Sequence, residues 1–516
     1  MIEMTLREIA DVVGGTLHDV PDPAVTVTGA VEFDSRRVDS GDLFLAMPGE
    51  HADGHDFAAG AVAAGAVAVL AARPVGVPAI VVEPLPVTGS RALVLAHDRD
   101  GSGAAVLAAL AKLARVSIDR LATGGLTVIG VTGSSGKTST KDLLASVLAP
   151  LGPVVAPPGS LNNELGYPWT VLRADAGTRF LVLEMSARGV GHIAALTETA
   201  PPAIGVVLNV GTAHLGEFGS REAIARAKGE LVEALPPSGI AILNADDPNV
   251  AAMASRTRAR VVTVGQSGAA GVRATGVVLD EAARARFTLH ANGSETEIRL
   301  AVHGEHQVGN ALSAAAVALE CGADLDSVAA ALSGARIVSA HRMDVRTRAD
   351  GVTVVNDSYN ANPDSVRAAL KALVSMARAE GSEGDGGPGR RSWAVLGEMA
   401  ELGEESVVEH DRIGRLAVRL DVDRLIVVGS GRPARALHQG AVMEGSWGEE
   451  SVLVPDIEAA IAVLDNELAA GDVVLVKASN SAGLWAVAQH LTAASEPDAE
   501  AVRRPQVPPS GTEAAV

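Results

Sequence analysis

The sequence predicts an α/β protein of three units, and three observations carry that prediction. Its 516 residues exceed what one ordinary hydrophobic core organises. From residue 126 onward, short apolar runs alternate with helix-compatible stretches, the pattern of strands buried on both faces of a parallel sheet. A Gly/Ser-rich turn also joins the apolar run 126–131 to the helix-compatible segment 142–148.

Taken in chain order, residues 1–121 form a first, smaller unit with short strands at 24–31 and 79–82 and an Ala-rich helix at 57–64. Residues 122–339 form the second, with strands at 126–131, 180–184, 204–209 and 240–244. Residues 340–494 form the third, a Rossmann-like unit with strands at 352–356, 393–397, 425–429 and 473–477. The Gly-rich stretch 381–389 reads as a flexible insertion in the third unit, and 495–516, rich in Pro, Glu and Ala, as a disordered tail. Ligands of open α/β sheets gather beyond the strand ends, so a cleft between the second and third units is expected.

Composition narrows the function. Hydrophobic residues make up 47% of the chain but aromatic ones only 2%, so the cores must be built from Ala, Val and Leu. A formal charge of −20 argues against non-specific binding to nucleic acid or to an anionic membrane. An anionic substrate would therefore need concentrated Arg, Lys, helix N-termini or Mg²⁺. Cys321 is the only cysteine, which excludes an intrachain disulfide and a thiolate metal cluster; it reads as a small core residue. No signal-like start and no apolar run of membrane-spanning length is present, so a soluble, cytoplasmic chain is expected.

The turn at 132–141 reads T-G-S-S-G-K-T-S-T-K. Strand, glycine-rich turn and helix together cradle nucleotide phosphates, because backbone N–H groups and the positive end of the helix dipole face the anion. Gly133, Ser134, Ser135, Gly136, Lys137, Thr138 and Ser139 are the candidate phosphate-binding residues. Lys137 supplies a point charge and the Thr138 hydroxyl a ligand for Mg²⁺. The spacing departs from the common P-loop, which has a glycine five places before Gly136 where this chain has Val131.

Other polar groups follow strand ends. Glu184 closes the second strand of the central unit, and His214 follows the third in N-V-G-T-A-H-L-G-E-F-G-S. Alone, Glu184 serves equally as a cap or surface carboxylate, and a lone His after a strand is more often structural than a ligand; beside a P-loop both become candidate Mg²⁺ ligands with Thr138. Lys228, in A-R-A-K-G-E, is by default a solvated helix lysine. Asn162, Asn163 and Glu164 lie in a Gly/Pro-bounded loop that suits either a polar substrate or turn chemistry. Asp357, Tyr359 and Asn360 belong to N-D-S-Y-N-A-N-P-D-S, which leaves a strand and enters a helix with Pro363 in its first turn. Arg342 could send a guanidinium across the cleft to a phosphate.

In this order T-G-S-S-G-K-T, N-N-E-L-G-Y-P, E-M-S-A-R-G, N-V-G-T-A-H-L-G-E-F-G-S, A-K-G-E, H-Q-V-G-N-A-L, H-R and N-D-S-Y-N-A-N-P-D-S resemble the motifs of the Mur ligases. The first unit agrees: F-D-S-R, G-D-L-F-L-A-M-P-G-E and D-G-H-D-F, within residues 33–57, resemble that family's uridine-nucleotide domain. The resemblance covers nearly the whole chain apart from the tail and the Gly-rich insertion. Within the family it points to members that join D-alanyl-D-alanine to UDP-N-acetylmuramoyl-tripeptide, since members adding the diamino acid carry a D-N-P-R-type motif where this chain reads N-A-N-P-D-S.

The resemblance implies an amide ligase of peptidoglycan precursor synthesis that uses ATP and Mg²⁺ and works through an acyl phosphate. It implies no nucleic-acid partner and no membrane insertion, and a monomer is expected. It places Lys137 and Thr138 on phosphates and Mg²⁺, and Glu184 and His214 at the metal. Lys228 falls on the lysine that the family carbamylates, which would reverse its default reading. Lys137, His214 and Lys228 are thus the implied catalytic residues. Asn310, Arg342, Asp357, Tyr359 and Asn360 match nucleotide contacts, Asp34, Ser35 and Arg36 the uridine-nucleotide site, and Asn162, Asn163 and Glu164 positions near the substrate. Three departures stand out: Gln307 replaces an Asn of the family's H-N-x-x-N pattern, Ser186 replaces the Gly after Glu-Met, and Lys477-Ala478-Ser479-Asn480 lacks the arginine of K-G-S-R.

Overall fold

The structure is a computed structural model, and it describes residues 1–49, 52–86, 95–213, 215–378, 390–445 and 450–493. The insertion at 381–389, the tail from 495 and the candidate His214 lie outside the described residues.

The first stretch of chain builds a five-stranded sheet in the order Thr16–His18, Ala79–Val81, Ala68–Ala71, Leu43–Leu45, Val31–Glu32. All neighbours are parallel except the first pair. The single strand expected at 24–31 is two strands. Thr26–Val27 pairs with Met4–Thr5 in a separate small sheet, and Val31–Glu32 joins the larger one. Between them the Asp42 carboxylate accepts the Ala30 N–H at 2.6 Å, and Gly41 accepts that of Gly29 at 2.9 Å. Those contacts turn the chain from one sheet to the other.

The central sheet has nine strands. Parallel strands Val154–Val155, Phe180–Glu184, Thr127–Thr132, Ile204–Val207, Ile240–Asn244, Arg260–Gly265 and Val272–Leu279 lie side by side in that order. Arg284–Ala291 and Ser294–His303 then extend the sheet antiparallel, which the apolar-run reading did not anticipate. These strands are half-exposed, so their sequence alternates rather than running apolar. The strand expected at 204–209 stops at Val207, because Asn209 leaves the ladder to bind the phosphate turn. The helix Gln307–Glu320 lies against the helix Lys137–Leu148. Its buried Ala311, Ala314, Ala315 and Ala318 supply the small-residue core that the composition required.

The last stretch forms six strands in the order Asp344–Thr347, Thr353–Asn356, Val473–Lys477, Ser392–Leu396, Arg424–Val428, Ser451–Val454. Only the first pair is antiparallel. The helix Pro363–Ala377 begins as its sequence suggested: Pro363 occupies the first turn, and Asn362 exchanges hydrogen bonds with Ser365 in a capping box.

The joins between stretches differ. The 21-residue helix Ser102–Ala122 carries Val106, Leu110 and Leu113 into one hydrophobic cluster with Leu43 and Leu70 on one side and Tyr167, Trp169 and Leu183 on the other. Trp169 also stacks edge-on with Phe33 at 5.7 Å and donates its indole N–H to the Val31 carbonyl at 2.7 Å. The third stretch is entered through a turn in which His341 and Met343 take left-handed backbone angles, φ 57° and 48°. Non-glycine residues adopt that region only when their surroundings hold them there.

Candidate active site

A cavity of about 930 Å³ opens where the three stretches meet, with the turn 133–139 along one side. Local chemistry fixes that turn. Asn209 grips it from both sides, accepting the Ser135 N–H at 3.0 Å and donating to the Ser135 carbonyl at 3.2 Å. The Ser134 hydroxyl accepts the Gly211 N–H at 2.9 Å. Gly136 has φ 82°, and a β-carbon there would stand 2.6 Å from the Asn310 amide oxygen. Only glycine lets the backbone pass so close to that side chain. Asn310 is held in turn by Gln307, whose side-chain oxygen accepts the Asn310 amide at 2.8 Å. The Gln that departs from the family pattern therefore orients the Asn that keeps it.

Lys137 starts the helix and folds back onto the Gly133 carbonyl at 2.8 Å. Burial lowers the pKa of its ammonium, and the Glu184 carboxylate partly offsets this. Glu184 ends its strand almost wholly buried, at 1% exposure. One carboxylate oxygen accepts from Thr138 and Ser160 hydroxyls, each at 3.3 Å, and from the Asn162 amide at 3.2 Å. The other oxygen is buried with no hydrogen-bond partner. A carboxylate with one unpaired oxygen and two hydroxyls make an oxygen donor set suited to Mg²⁺, with the Asn162 amide beside it. An unpaired buried carboxylate oxygen is costly unless something positive meets it. Thr138, Ser160 and Glu184 are thus the residues that could hold the ion.

Arg342 reaches the same point from the segment entering the third stretch. Its guanidinium stacks 4.4 Å above the Tyr359 ring and donates to the Thr138 hydroxyl at 3.4 Å, while its Nε is buried without a partner. The left-handed residues on either side of it are tied to the Tyr359 loop. Tyr359 N–H donates to the His341 carbonyl, and Met343 N–H to the Asp357 carboxylate, each at 3.2 Å. Asp357 is fixed by the buried Lys477, whose ammonium lies 2.6 Å from its carboxylate and 2.8 Å from the Asn360 carbonyl. Burial lowers the Lys477 pKa, and Asp357 opposes that shift.

The sequence-predicted residues do not all converge. Ser134, Ser135, Gly136, Lys137, Thr138, Ser139, Asn162, Asn163, Glu164, Asn310, Arg342, Asp357, Tyr359 and Asn360 line the one cavity. Gly133 lies behind it, packed on Leu208. Asn163 also does the turn chemistry considered for it, since its side chain accepts the Gly166 N–H at 2.8 Å. Lys228 is not the solvated lysine of its default reading. It is 4% exposed and makes no hydrogen bond or ion pair among the described residues, because its helix faces it inward. Burial, with Lys137 near, pushes its pKa well below the ordinary lysine value. Asp34, Ser35 and Arg36 stand apart in the first stretch, outside the cavity lining. There the Arg36 side chain and N–H hold the Asp34 carboxyl down at about 2. Ser160, Asn209 and the anchoring role of Lys477 escaped the sequence reading. Ser160 lies two residues before one quoted motif, and Asn209 and Lys477 open two others, and that placement was the available signal.

Comparison with known proteins places this geometry. Residues 28–115 match the model of the Mur ligase family catalytic domain, 131–318 the Mur ligase middle domain, and 341–480 the Mur ligase glutamate ligase domain. The chain is 64% identical over 507 residues to a UDP-N-acetylmuramoyl-tripeptide–D-alanyl-D-alanine ligase of Mycobacterium tuberculosis, covering 96% of this chain and 98% of that one. It is 32% identical over 492 residues to the Escherichia coli ligase of the same name, covering 95% and 99%. Among solved structures it resembles MurF from Acinetobacter baumannii with a TM-score of 0.79 at 29% identity, covering 95% and 99%. It also resembles the MurF ligase of Thermotoga maritima, crystallised in complex with ADP, with a TM-score of 0.72 at 31% identity, covering 90% and 97%. With three family domains matched in order over a P-loop, a buried carboxylate and an arginine drawn in from the third stretch, the chain belongs to the Mur ligase family.

Proposed function

We propose that the protein is the ATP-dependent ligase that joins D-alanyl-D-alanine to UDP-N-acetylmuramoyl-tripeptide in peptidoglycan precursor synthesis, acting as a cytoplasmic monomer. The observation that carries the reading is the buried Glu184 carboxylate with one unpaired oxygen, set 3.3 Å from the P-loop Thr138 hydroxyl. The relatives named above are its second support. We assign residues 1–121 to the uridine nucleotide, 122–339 to ATP and 340–494 to closure over the nucleotide.

A carboxylate is a poor electrophile, so the ATP γ-phosphoryl group passes first to the terminal carboxylate of the tripeptide. The amine of D-alanyl-D-alanine then attacks that acyl phosphate, loses a proton and expels inorganic phosphate as the amide forms. Mg²⁺, held by Thr138 and Glu184 with Ser160 and Asn162 beside them and His214 as a further ligand, would neutralise charge on the phosphates. Lys137 leaves the Gly133 carbonyl to meet the phosphates, and Arg342 adds a guanidinium from the opposite wall. Asn310, Asp357, Tyr359 and Asn360 orient the nucleotide, and Asn163 and Glu164 face the substrate carboxylate. Burial shifts Lys228 toward its neutral form, whose lone pair is what adds CO₂. The N–C bond forms with loss of a proton, leaving an anionic carbamate.

The test is ADP release from the purified protein with ATP, Mg²⁺ and UDP-N-acetylmuramoyl-tripeptide. Release that requires D-alanyl-D-alanine supports the reading. Release driven instead by a free diamino acid on the dipeptide precursor overturns it.

A further inference from the structure

The helix Arg221–Glu233 that carries Lys228 is gripped at the two following residues, and neither grip belongs to the chemistry described above. Successive residues of a helix point about 100° apart, so 228, 229 and 230 face three different neighbours. Glu230, 8% exposed, faces the start of the helix His192–Thr199. That helix begins at Gly191 with no capping side chain of its own. The Glu230 carboxylate supplies the cap from outside, accepting the Gly191 N–H at 2.6 Å and the Ala194 N–H at 3.0 Å. A carboxylate on two first-turn amides forms charge-assisted bonds and meets the positive end of the helix dipole.

Gly229 faces Arg256. A β-carbon on Gly229 would lie 1.9 Å from an Arg256 guanidinium nitrogen, so the guanidinium occupies the space a side chain would take. From there it donates to the carbonyls of Ala225 at 3.0 Å and Arg226 at 2.9 Å, and to Glu233 at 2.9 Å. A mid-helix glycine ordinarily weakens a helix; here it admits the wedge that fixes the helix's rotation.

The junction that Glu230 caps is a wall of the cavity. Ser186, Arg188, Gly191 and His192 line it, together with Ala104 and Leu107 of the helix Ser102–Ala122, which packs against the helix His192–Thr199. Arg188 also bridges to Glu401 of the third stretch at 3.2 Å. We propose that Glu230 is a positioning residue for the ligase reaction: it holds the 186–192 wall of the cavity that takes the tripeptide end of the substrate, while Arg256 on Gly229 keeps Lys228 turned inward. This rests on the proposed ligase activity. Neither residue touches substrate; both act through the backbone they hold.

Glu230→Gln keeps the shape and removes the charge, and Glu230→Asp keeps the charge but shortens the reach. In steady-state assays of the whole chain, Glu230→Gln lowers kcat/KM for the UDP-tripeptide on the order of 10–100-fold. The KM for ATP stays within about twofold, because Asn209, which Glu230 does not touch, holds the P-loop. Glu230→Asp recovers part of the loss. Amide hydrogen exchange at Gly191 and Ala194 rises in Glu230→Gln, a readout that needs no turnover. Unchanged exchange, or equal losses for every substrate, overturns the positioning role. Inactive wild-type protein that still shows raised exchange in the variant faults the ligase reading and spares the cap.

Discussion

The P-loop side of the cavity and the Asp34–Arg36 turn of the first stretch treat charge in opposite ways. Around the P-loop, charged groups are buried and partly unpaired: Glu184 has an orphan oxygen, Arg342 an orphan Nε, and Lys228 no partner among the described residues. Burial without full pairing is costly and persists where a ligand completes it. At the first-stretch turn, the Arg36 side chain is 87% exposed and satisfies Asp34 by a forked contact at 2.8 Å. Its groups answer each other in water, and a ligand must displace that pairing rather than fill a gap. The first arrangement is prepared for a highly charged guest; the second is a surface that exchanges one partner for another.

The contrast breaks most visibly at Lys137. Lys137→Ala should cost roughly 10²–10³-fold in ADP release, the scale for losing one pre-aimed stabiliser of a developing anion, with the circular-dichroism spectrum unchanged. Glu184→Gln comes next, with an expected loss of about 10–100-fold and a raised Mg²⁺ requirement in a titration of rate against metal. Arg36→Ala should be milder. The KM for the uridine substrate rises about tenfold, the ATP KM stays fixed, and the melting temperature does not move, because an exposed ion pair contributes little to folding. A stability loss in Arg36→Ala as large as in a core variant would erase the distinction.

The smallest effect lies behind the cavity, at His410. Its Nε2 accepts the Met399 N–H at 2.9 Å and its Nδ1 donates to the Ser406 carbonyl at 2.6 Å, so the ring must be neutral. Burial lowers its pKa below the ordinary 6.5. A depressed value in the folded state means that the stabilisation is complete above about pH 6.5 and is lost as pH falls through the lowered pKa. The melting temperature of His410→Gln should therefore differ from wild type by about 2–4 °C at pH 7.5, and the gap should narrow towards pH 5. A gap that widens with acidity would reverse the sign of this account.

How legible all this was in the sequence follows the same divide. The Gly-Lys-Thr turn, the apolar strands and the Pro363 helix start are local patterns, and local physics made them readable. The solvated reading of Lys228 failed because whether a helix lysine faces inward depends on what packs against that helix, which no window of sequence contains. Ser160 and Asn209 were missed for a similar reason, since each acts on a residue tens of positions away in the chain, at Glu184 and Ser135. The antiparallel strand Arg284–Ala291 was readable but unread: R-A-R-F-T-L-H-A alternates large polar and apolar residues with period two. Gln307 shows how a departure from a family pattern can keep the pattern's geometry by holding Asn310.

The shared cluster along the helix Ser102–Ala122 has a practical corollary for anyone dissecting the chain. Excising residues 1–121 would peel Val106, Leu110 and Leu113 off Tyr167 and Trp169 and leave an oily seam on what remained. The leading fragment and the body should be sticky when expressed alone and should re-anneal when supplied together, whereas a cut ahead of His341 would part a core cluster that, among the described residues, only Ala283 joins from the earlier chain.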